Sequence, residues 1–402
     1  MTRADCTLLV FSPVPWSAAF QRPQHLMSRL AHRHRVVYVE EPIGAEGPPR
    51  LERSQESDGV LVLRPQGGGR SAGWDAPQRA RWQGLISNLL LEEVEGDWVA
   101  WLCTASALPL IDGLHPRLVV YDCMEASSQQ EFVAQAMERQ LLDVADLVLA
   151  AGPALWQSHR IVHPNAHCVP SSADTVQFAP ERVTARYHDY LAAERLQGHI
   201  LAPRLGLADT IDERVDLGLV DAISLARPDW HLVLAGPLAQ ASNALTPRDN
   251  IHCLGDQPAP RRPALVAAWD VCLMPYRVNE ATRCLFPPQA LEYLAAEKPV
   301  VSTALPDVAS LLGGAVRIAR DAGEFIAACE AALAEKPEGR AARLARSADC
   351  VTRYSWDEAA RSAQRLLDEA LERSAPARVT APPDMPAAPV RPATPALPAG
   401  AA

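Results

Sequence analysis

Short, continuous apolar runs alternate along the chain with longer segments whose apolar positions recur at helical spacing. In the first half the apolar runs lie at residues 7–11, 35–39, 98–103, 118–121 and 147–150. Runs of this length are typical of strands that are buried on both faces. Segments with helical spacing at 23–31 and 129–143 lie between them. Strands that alternate with helices in this way predict an α/β protein with parallel sheets and right-handed crossovers.

The alternation starts again near residue 205, which indicates a second domain of the same class. Its candidate strands include residues 231–235, 250–255, 271–274, 300–301 and 316–319. The boundaries that we predict are a first Rossmann-like domain at 1–175, a linker at 176–204, a second Rossmann-like domain at 205–355, a last helix at 356–373 and a tail at 374–402. The tail is mostly Ala and Pro, so it is expected to be disordered because it cannot offset its ordering entropy.

Composition narrows the classes of protein and partner. A chain of 402 residues, nearly half of them apolar, is long enough for two domains. Its formal net charge of −10 argues against nucleic-acid binding, which needs a basic face. The nine cysteines include no C-x-x-C pair, which favours reduced packing residues over disulfides or zinc ligands. We therefore expect no cofactor and no metal site.

Targeting signals are also missing from the pattern. The apolar run at 7–11 is too short for a signal peptide, and no run approaches the length of a membrane-spanning helix. These observations predict a cytoplasmic protein and are compatible with peripheral contact at the inner face of a membrane.

One stretch of the second domain carries the clearest candidate chemistry. Residues 279–302 follow the apolar run at 271–274 and form a predicted strand–loop–helix–strand unit with Pro287 and Pro288 in the first helical turn. Glu292 lies beside the apolar stripe of this helix. The loop and the helix N-terminus face the C-terminal edge of the sheet, where ligands bind in open α/β folds and where helix N-termini suit phosphate.

Residues 291–301, Leu-Glu-Tyr-Leu-Ala-Ala-Glu-Lys-Pro-Val-Val, resemble the nucleotide-sugar site of GT-B glycosyltransferases. The resemblance is to the retaining enzymes of family 4, or group 1, found in bacterial polysaccharide clusters. It implies two Rossmann-like domains that face each other across a cleft, with a C-terminal helix crossing back to the first domain. It also implies that Glu292 holds the ribose hydroxyls of the donor nucleotide. Without the resemblance, Glu292 is equally compatible with a solvated helix residue.

The resemblance places further donor-binding residues around this pocket. Glu280, Thr282 and Arg283 belong to the loop above it, and Arg283 is the candidate to neutralise the donor diphosphate. Gly206 and Arg214 follow the first strand of the second domain, where the family carries an Arg and a Lys. Arg214 is expected to compensate for that pair in part. The alternative for Arg283 is a solvated loop residue.

In the first domain, residues 16–25 resemble a Trp…Gln-Arg-Pro-Gln-His run of the same bacterial subset. This implies that Arg22 meets a phosphate or an acceptor carboxylate and that His25 binds a sugar hydroxyl, both at the cleft. Asp122 and Glu125 follow a predicted strand, and one of them would bind the acceptor or orient His25. The alternatives are solvated residues of a helical first turn and an ordinary helix N-cap with a first-turn acid.

Three positions depart from the family pattern. Cys284 stands where the family has a second Glu, Gln289 stands where close relatives carry Lys, and Ser172 replaces a hinge Gly. Two functions therefore compete. The leading prediction is a hexosyl-type glycosyltransferase that moves a sugar from a nucleotide-sugar to a carbohydrate or lipid-linked acceptor, with retention and without metal. The alternative is a GT-B-like nucleotide-sugar binding or accessory protein that has lost turnover. An epimerase is a third class, but the cleft carboxylates it needs cannot be assigned.

Overall fold

The computed structural model of the chain describes residues 6–18, 20–42, 46–56, 58–67, 74, 79–94, 96–124, 132–238 and 245–374. Three parts of the sequence-based predictions lie outside these residues. They are Glu125, the start of the helix predicted at 129–143, and the tail beyond residue 374.

The first sheet is built from eight described strands in the order β3-β4-β2-β1-β5-β6-β7-β8. These are β1 (Thr7–Ser12), β2 (Arg35–Glu40), β3 (Arg50–Gln55), β4 (Leu61–Gln66), β5 (Trp98–Leu102), β6 (Leu118–Cys123), β7 (Leu147–Ala150) and β8 (Ala166–Cys168). All neighbours are parallel except β3, which runs antiparallel to β4 at the edge. The central strands are buried along their whole length, as their unbroken apolar runs predict.

Four described α-helices belong to the first domain: α1 (Arg22–Leu30), α2 (Arg79–Glu93), α3 (Phe132–Val144) and α4 (Pro153–His159). Helix α1 begins with a capping box, in which Gln21 and Gln24 satisfy each other's backbone N–H groups. Its apolar face, with Leu26, Met27 and Leu30, is buried against the sheet. The first turn of α1 is thereby fixed at the C-terminal edge of β1.

The second sheet has six described strands, all parallel, in the order β11-β10-β9-β12-β13-β14. They are β9 (Arg204–Ala208), β10 (His231–Ala235), β11 (Ile251–Gly255), β12 (Val271–Met274), β13 (Val300–Thr303) and β14 (Arg317–Ala319). In sequence order this is the 3-2-1-4-5-6 arrangement of a dinucleotide-binding sheet. Its topological switch point lies between β9 and β12, so the C-terminal ends of those strands are the expected ligand site.

The remaining described α-helices are α5 (Pro180–Ala185), α6 (Tyr187–Gln197), α7 (Leu217–Ala226), α8 (Arg262–Ala267), α9 (Gln289–Ala295), α10 (Pro306–Leu312), α11 (Ala322–Leu333), α12 (Pro337–Arg353) and α13 (Trp356–Arg373). Helices α5 and α6 occupy the segment predicted as a linker. Their buried residues Val183 and Ala193 belong to the second core, so this segment is part of the second domain's packing. Burial of an apolar face explains why it is helical.

The last helix, α13, packs against the first domain although it follows the second in sequence. Trp356, Ala363 and Leu367 are buried in the core below β1 and β5. The two domains also touch directly, because Asp307 in α10 accepts a hydrogen bond of 2.8 Å from the backbone N–H of Ala154 in α4. The predicted crossing helix is therefore present, and both sheets turn part of their C-terminal edges toward a shared cleft.

Candidate functional site

Helix α9 carries Glu292 at the C-terminal edge of the second sheet. The helix begins at Gln289, with Pro288 as its N-cap, so the two prolines lie just before the helix rather than inside its first turn. Glu292 falls in the first turn and is only 8 % exposed. A carboxylate so deeply buried is costly unless it has a partner. The solvated alternative for Glu292 is thereby excluded.

The partner of Glu292 is Arg262, the first residue of α8. An Arg262 guanidinium nitrogen lies 2.8 Å from Glu292 Oε2, and the Arg262 side chain remains 30 % exposed. Burial raises the pKa of Glu292, the nearby Arg262 lowers it, and the acids Asp209 and Asp174 raise it. The carboxylate is therefore buried near two other acids, with one partly exposed cation beside it.

The loop after β12 divides into a buried half and an exposed half. Thr282 is 1 % exposed and exchanges backbone and side-chain hydrogen bonds with Asn279 and Arg277. Thr282 thus holds the loop's turn together, and its predicted role in donor binding stays a prediction. Glu280 and Arg283 project outward, 68 % and 52 % exposed, with 3.5 Å between the carboxylate and the guanidinium. Arg283 is consequently the accessible cation of the loop.

Gly206 and Arg214 are placed differently from their predictions. Gly206 lies in the middle of β9, where an added Cβ would lie 2.0 Å from the Trp269 ring. The glycine is required by core packing and does not reach the donor pocket. Arg214 lies after β9 as expected, but Asp212 binds its guanidinium at 2.7 Å. This pair lowers the charge that Arg214 can offer to a diphosphate.

The sequence analysis missed one acidic and one aromatic residue at the switch point. Asp209 follows β9 and accepts a hydrogen bond from the hydroxyl of Tyr276, which follows β12. Burial and the neighbouring Asp209 carboxylate raise the pKa of the Tyr276 hydroxyl. Each residue lies within two positions of the end of an apolar strand, which is the signal that could have identified them.

Comparison with known proteins places this site in a family. Residues 213–335 match the family model described as "Glycosyl transferases group 1". The chain is 25 % identical over 276 residues to the "Putative teichuronic acid biosynthesis glycosyltransferase TuaH" of Bacillus subtilis, covering 62 % of this chain and 68 % of that protein. Residues 213–335 thus form a group 1 glycosyltransferase domain.

Solved structures show the GT-B fold of this glycosyltransferase. Sucrose-phosphate synthase from Thermosynechococcus elongatus matches with a TM-score of 0.71 at 14 % identity, covering 92 % of this chain and all of that one. Anabaena Alr3699/HepE in complex with UDP matches with a TM-score of 0.66 at 15 % identity, covering 90 % of this chain and all of that one. The fold predicted from the resemblance is confirmed.

In the first domain of the glycosyltransferase, Arg22 and Asp122 form a closed pair. Arg22 Nε lies 2.8 Å from Asp122 Oδ1, and the two side chains are 4 % and 0 % exposed. Arg22 also donates to the carbonyl of Val169, and the indole N–H of Trp101 donates to Asp122. One Arg22 nitrogen, Nη2, is buried without a hydrogen-bond partner among the described residues. The structure thus brings Arg22 and Asp122 together in the interior, and Asp122 orients Arg22 instead of His25.

His25 lies beside the crossing helix of the glycosyltransferase. Its ring stacks on Trp356, with 4.6 Å between the ring centroids and 15° between the planes. Phe20 meets the same imidazole edge-on. Burial, followed by the charge of Arg29, lowers the pKa of His25 to about 4. The imidazole is therefore neutral at physiological pH. Its stacking on Trp356 holds the start of α13 against the first domain.

The family departures of the glycosyltransferase have local explanations. Cys284, in place of the family's Glu, packs against the core of the first domain, so it forms an apolar contact between the domains. Gln289 is 7 % exposed, and its Oε1 has no hydrogen-bond partner among the described residues. Ser172, in place of the hinge Gly, is buried and donates from its hydroxyl to the carbonyl of Tyr354. This bond ties the hinge to the C-cap residue of α12, two positions before α13.

Proposed function

We propose that this glycosyltransferase transfers a sugar from a nucleoside diphosphate donor to a glycan or lipid-linked acceptor, with retention of the anomeric configuration and without a metal ion. The observation that carries the proposal is the buried Glu292 carboxylate in the first turn of α9, at the C-terminal edge of the second sheet. Its place in the group 1 domain supports a role for it in donor binding.

In this proposal each charged residue near the pocket has a separate task. Glu292 accepts hydrogen bonds from the two ribose hydroxyls, which are stronger than neutral bonds because the acceptor is charged. Before the donor binds, Arg262 keeps the Glu292 carboxylate ionised and oriented. Arg283 binds the diphosphate, because Asp212 already occupies the fork of Arg214. Stabilising the leaving diphosphate and closing the domains would supply most of the catalysis.

Two further observations bear on the acceptor and on the cellular location of the reaction. The relative TuaH is named for teichuronic acid biosynthesis, which supports a cell-envelope polysaccharide as the product. Among the described residues, no helix is both long and apolar enough to cross a membrane. We propose that the enzyme acts on the cytoplasmic side, in peripheral contact with the membrane when the acceptor is lipid-linked.

A nucleotide-sugar binding protein without turnover is the second candidate. It is favoured by Cys284, because the position that carries a Glu in the family serves here as an apolar contact between domains. It is also favoured by the unpaired Gln289, which offers no charge to a diphosphate. Measuring the release of nucleoside diphosphate from a bound donor over time distinguishes the two candidates, because only the enzyme releases it.

Glu292→Ala tests the donor site. Isothermal titration calorimetry with UDP, GDP and ADP identifies the base that binds the parent protein. Loss of the carboxylate should cost roughly 2–4 kcal/mol of nucleotide binding, which is about thirtyfold to several hundredfold in affinity. Glu338→Ala removes an exposed first-turn acid from α12 and serves as the matched control. Equal affinity of Glu292→Ala and the parent, or unfolding of Glu292→Ala alone, would contradict the site.

Chelation and product analysis test the finer parts of the proposal. Donor hydrolysis should continue in EDTA, because cationic side chains are proposed to stabilise the diphosphate. Loss of turnover in EDTA with recovery on adding magnesium or manganese would overturn metal independence. The anomer of the transferred sugar, read by proton NMR, decides between retention and inversion.

A further inference from the structure

A second cluster of chemically reactive side chains lies in the first domain. Cys123 ends β6, Glu138 lies in α3, and His159 ends α4. The Cys123 sulfur, a Glu138 carboxylate oxygen and a His159 ring nitrogen all lie within 4.8 Å of one another. Three separate elements thus direct three potential metal ligands at a single point.

The hydrogen bond at the far side of His159 fixes which ring nitrogen faces the cluster. Nδ1 lies 2.7 Å from the carbonyl oxygen of Leu155 and must donate a proton to it, because a carbonyl only accepts. Nε2 then faces Glu138 Oε1 at 3.3 Å. A lone pair cannot face a carboxylate oxygen at that distance, so a cation is required between them, either a proton or a metal ion.

The distances are compatible with a metal ion. Tetrahedral zinc at ordinary bond lengths separates a nitrogen ligand from an oxygen ligand by about 3.3 Å and a sulfur ligand from an oxygen ligand by about 3.5 Å. The observed separations are 3.3 Å for His159 Nε2 to Glu138 Oε1 and 4.0 Å for Cys123 Sγ to the same oxygen. The sulfur therefore has to move closer to Glu138 by about half an ångström to reach the ideal separation.

The surroundings of the cluster have the features of a metal site. Tyr121 donates a 2.9 Å hydrogen bond to Glu138 Oε1, and Leu155 orients the imidazole. Such outer contacts fix the ligands of protein metal sites and tune their affinity. Glu138 is 14 % exposed, so an ion can enter from solvent.

We infer that Cys123, Glu138 and His159 bind a divalent transition metal of the zinc class, with a solvent molecule as the fourth ligand. Thiolate and imidazole ligands select zinc-type ions over magnesium and calcium. Binding releases the Cys123 thiol proton to solvent as the sulfur–metal bond forms. The ion cross-links β6, α3 and α4, so its role is to stabilise the first domain.

Cobalt(II) is the probe, since its tetrahedral thiolate complexes are coloured. Titrating the full-length, metal-stripped protein with Co²⁺ should give about one ion per chain, a thiolate charge-transfer band in the near ultraviolet, and full displacement by Zn²⁺. Cys123→Ser should abolish the band. The control Cys253→Ser removes an exposed cysteine of the second domain and should leave the band intact.

A second pair of variants keeps the inference testable if Cys123→Ser fails to fold. Glu138→Gln alters a partly exposed ligand and should weaken Zn²⁺ binding by more than about tenfold, and Tyr121→Phe by about tenfold through loss of the outer contact. Zinc should raise the melting temperature of the parent but not of Glu138→Gln. Binding without the charge-transfer band, or equal zinc affinity in parent and Glu138→Gln, overturns the inference and leaves His159 as a protonated partner of Glu138.

Discussion

Each domain holds an arginine–carboxylate pair at the C-terminal edge of its sheet, and the two pairs differ in access to solvent. In the first domain, Arg22 and Asp122 are 4 % and 0 % exposed. In the second, Glu292 is buried but Arg262 is 30 % exposed. Both pairs are closed by a contact of 2.8 Å. The closest N–O contact therefore has the same length in both pairs, while their surroundings differ.

The difference in solvent exposure determines which pair can exchange its partner. A fully buried pair cannot open without leaving an unpaired charge in the interior, which is strongly unfavourable. A pair with one member in solvent can release that member and accept a ligand in its place at much lower cost. The second pair is therefore the one suited to the proposed donor binding, and the first is mainly a brace that holds α1, β6 and the segment before the hinge together.

Asp122→Asn should have the largest effect on stability. It leaves the Arg22 charge buried without a counter-ion, which costs about 3–5 kcal/mol of unfolding free energy. Asp97→Asn is the matched control in the same domain, because Asp97 pairs with Arg117 at the surface, with 31 % and 23 % exposed side chains. That change should cost less than about 1 kcal/mol. Urea unfolding midpoints measure both, and similar costs would remove the distinction between brace and binding pair.

Much of the fold was predictable because its signal is local in the sequence. The runs at 7–11, 35–39 and 271–274 are continuous and apolar, so burial alone indicates their strands. Strand β3 was not predicted, because its polar side chains follow no burial pattern at the sheet edge. The helices in the predicted linker were missed for a related reason. Their apolar positions face a neighbouring core whose location the sequence does not give.

The sites were less predictable, because their partners are distant in the chain. Glu292 was found through its strand–loop–helix context, yet Arg262 lies 30 positions earlier and carries no motif. Arg22 and Asp122 are 100 positions apart, so their closed pairing could not be expected from either segment. The cluster of Cys123, Glu138 and His159 has spacings of 15 and 21, far from those of a zinc motif.

The distance between the two pairs depends on the contact between the domains, and Asp307 makes this contact pH-dependent. Burial raises the pKa of Asp307 to about 6, although the Ala154 N–H acts to lower it. A raised pKa means that the docked state binds the proton more tightly. Its stabilising contribution is therefore complete below the ordinary pKa and is lost as pH rises through 6. The shift sets an upper limit of about 3 kcal/mol.

Asp307→Asn removes this titration while keeping the acceptor for the Ala154 N–H. Melting curves between pH 5 and 7.5 should show the parent losing stability relative to Asp307→Asn as pH rises. All other titrating groups are shared by the two proteins and cancel in the comparison. A constant difference over this range would show that Asp307 does not titrate in the docked state.

Gly152→Ala tests the same contact by shape, with a smaller expected effect. The added Cβ would lie 2.2 Å from Asp307 Oδ2, so the carboxylate must move away from α4. The expected cost is roughly 1–2 kcal/mol, as for other overpacked sites. Part of it comes from replacing the N-cap residue of α4, so the same change is made in an Asp307→Ala background. The cost should fall there, and an unchanged cost would trace the whole effect to the cap.

Arg283→Ala should have the smallest effect and is the most specific test of the exposed cation. The side chain is 52 % exposed and its contact with Glu280 is loose, so stability should change by less than about 0.5 kcal/mol. If Arg283 binds the diphosphate, affinity for nucleoside diphosphate should fall severalfold, about 1 kcal/mol.

The discriminating readout for Arg283 is the comparison of ligands. Affinity for the nucleoside alone should be unchanged, because Glu292 and not Arg283 is assigned to the ribose. Glu280→Gln frees Arg283 from its neighbour and should leave diphosphate binding equal or slightly tighter. Higher salt should reduce the effects of Arg283→Ala and Glu280→Gln on diphosphate binding, because the Arg283 guanidinium is exposed. A parallel loss for nucleoside and diphosphate would mean that Arg283 shapes the loop instead. The diphosphate would then have to be held by Arg214 after release from Asp212.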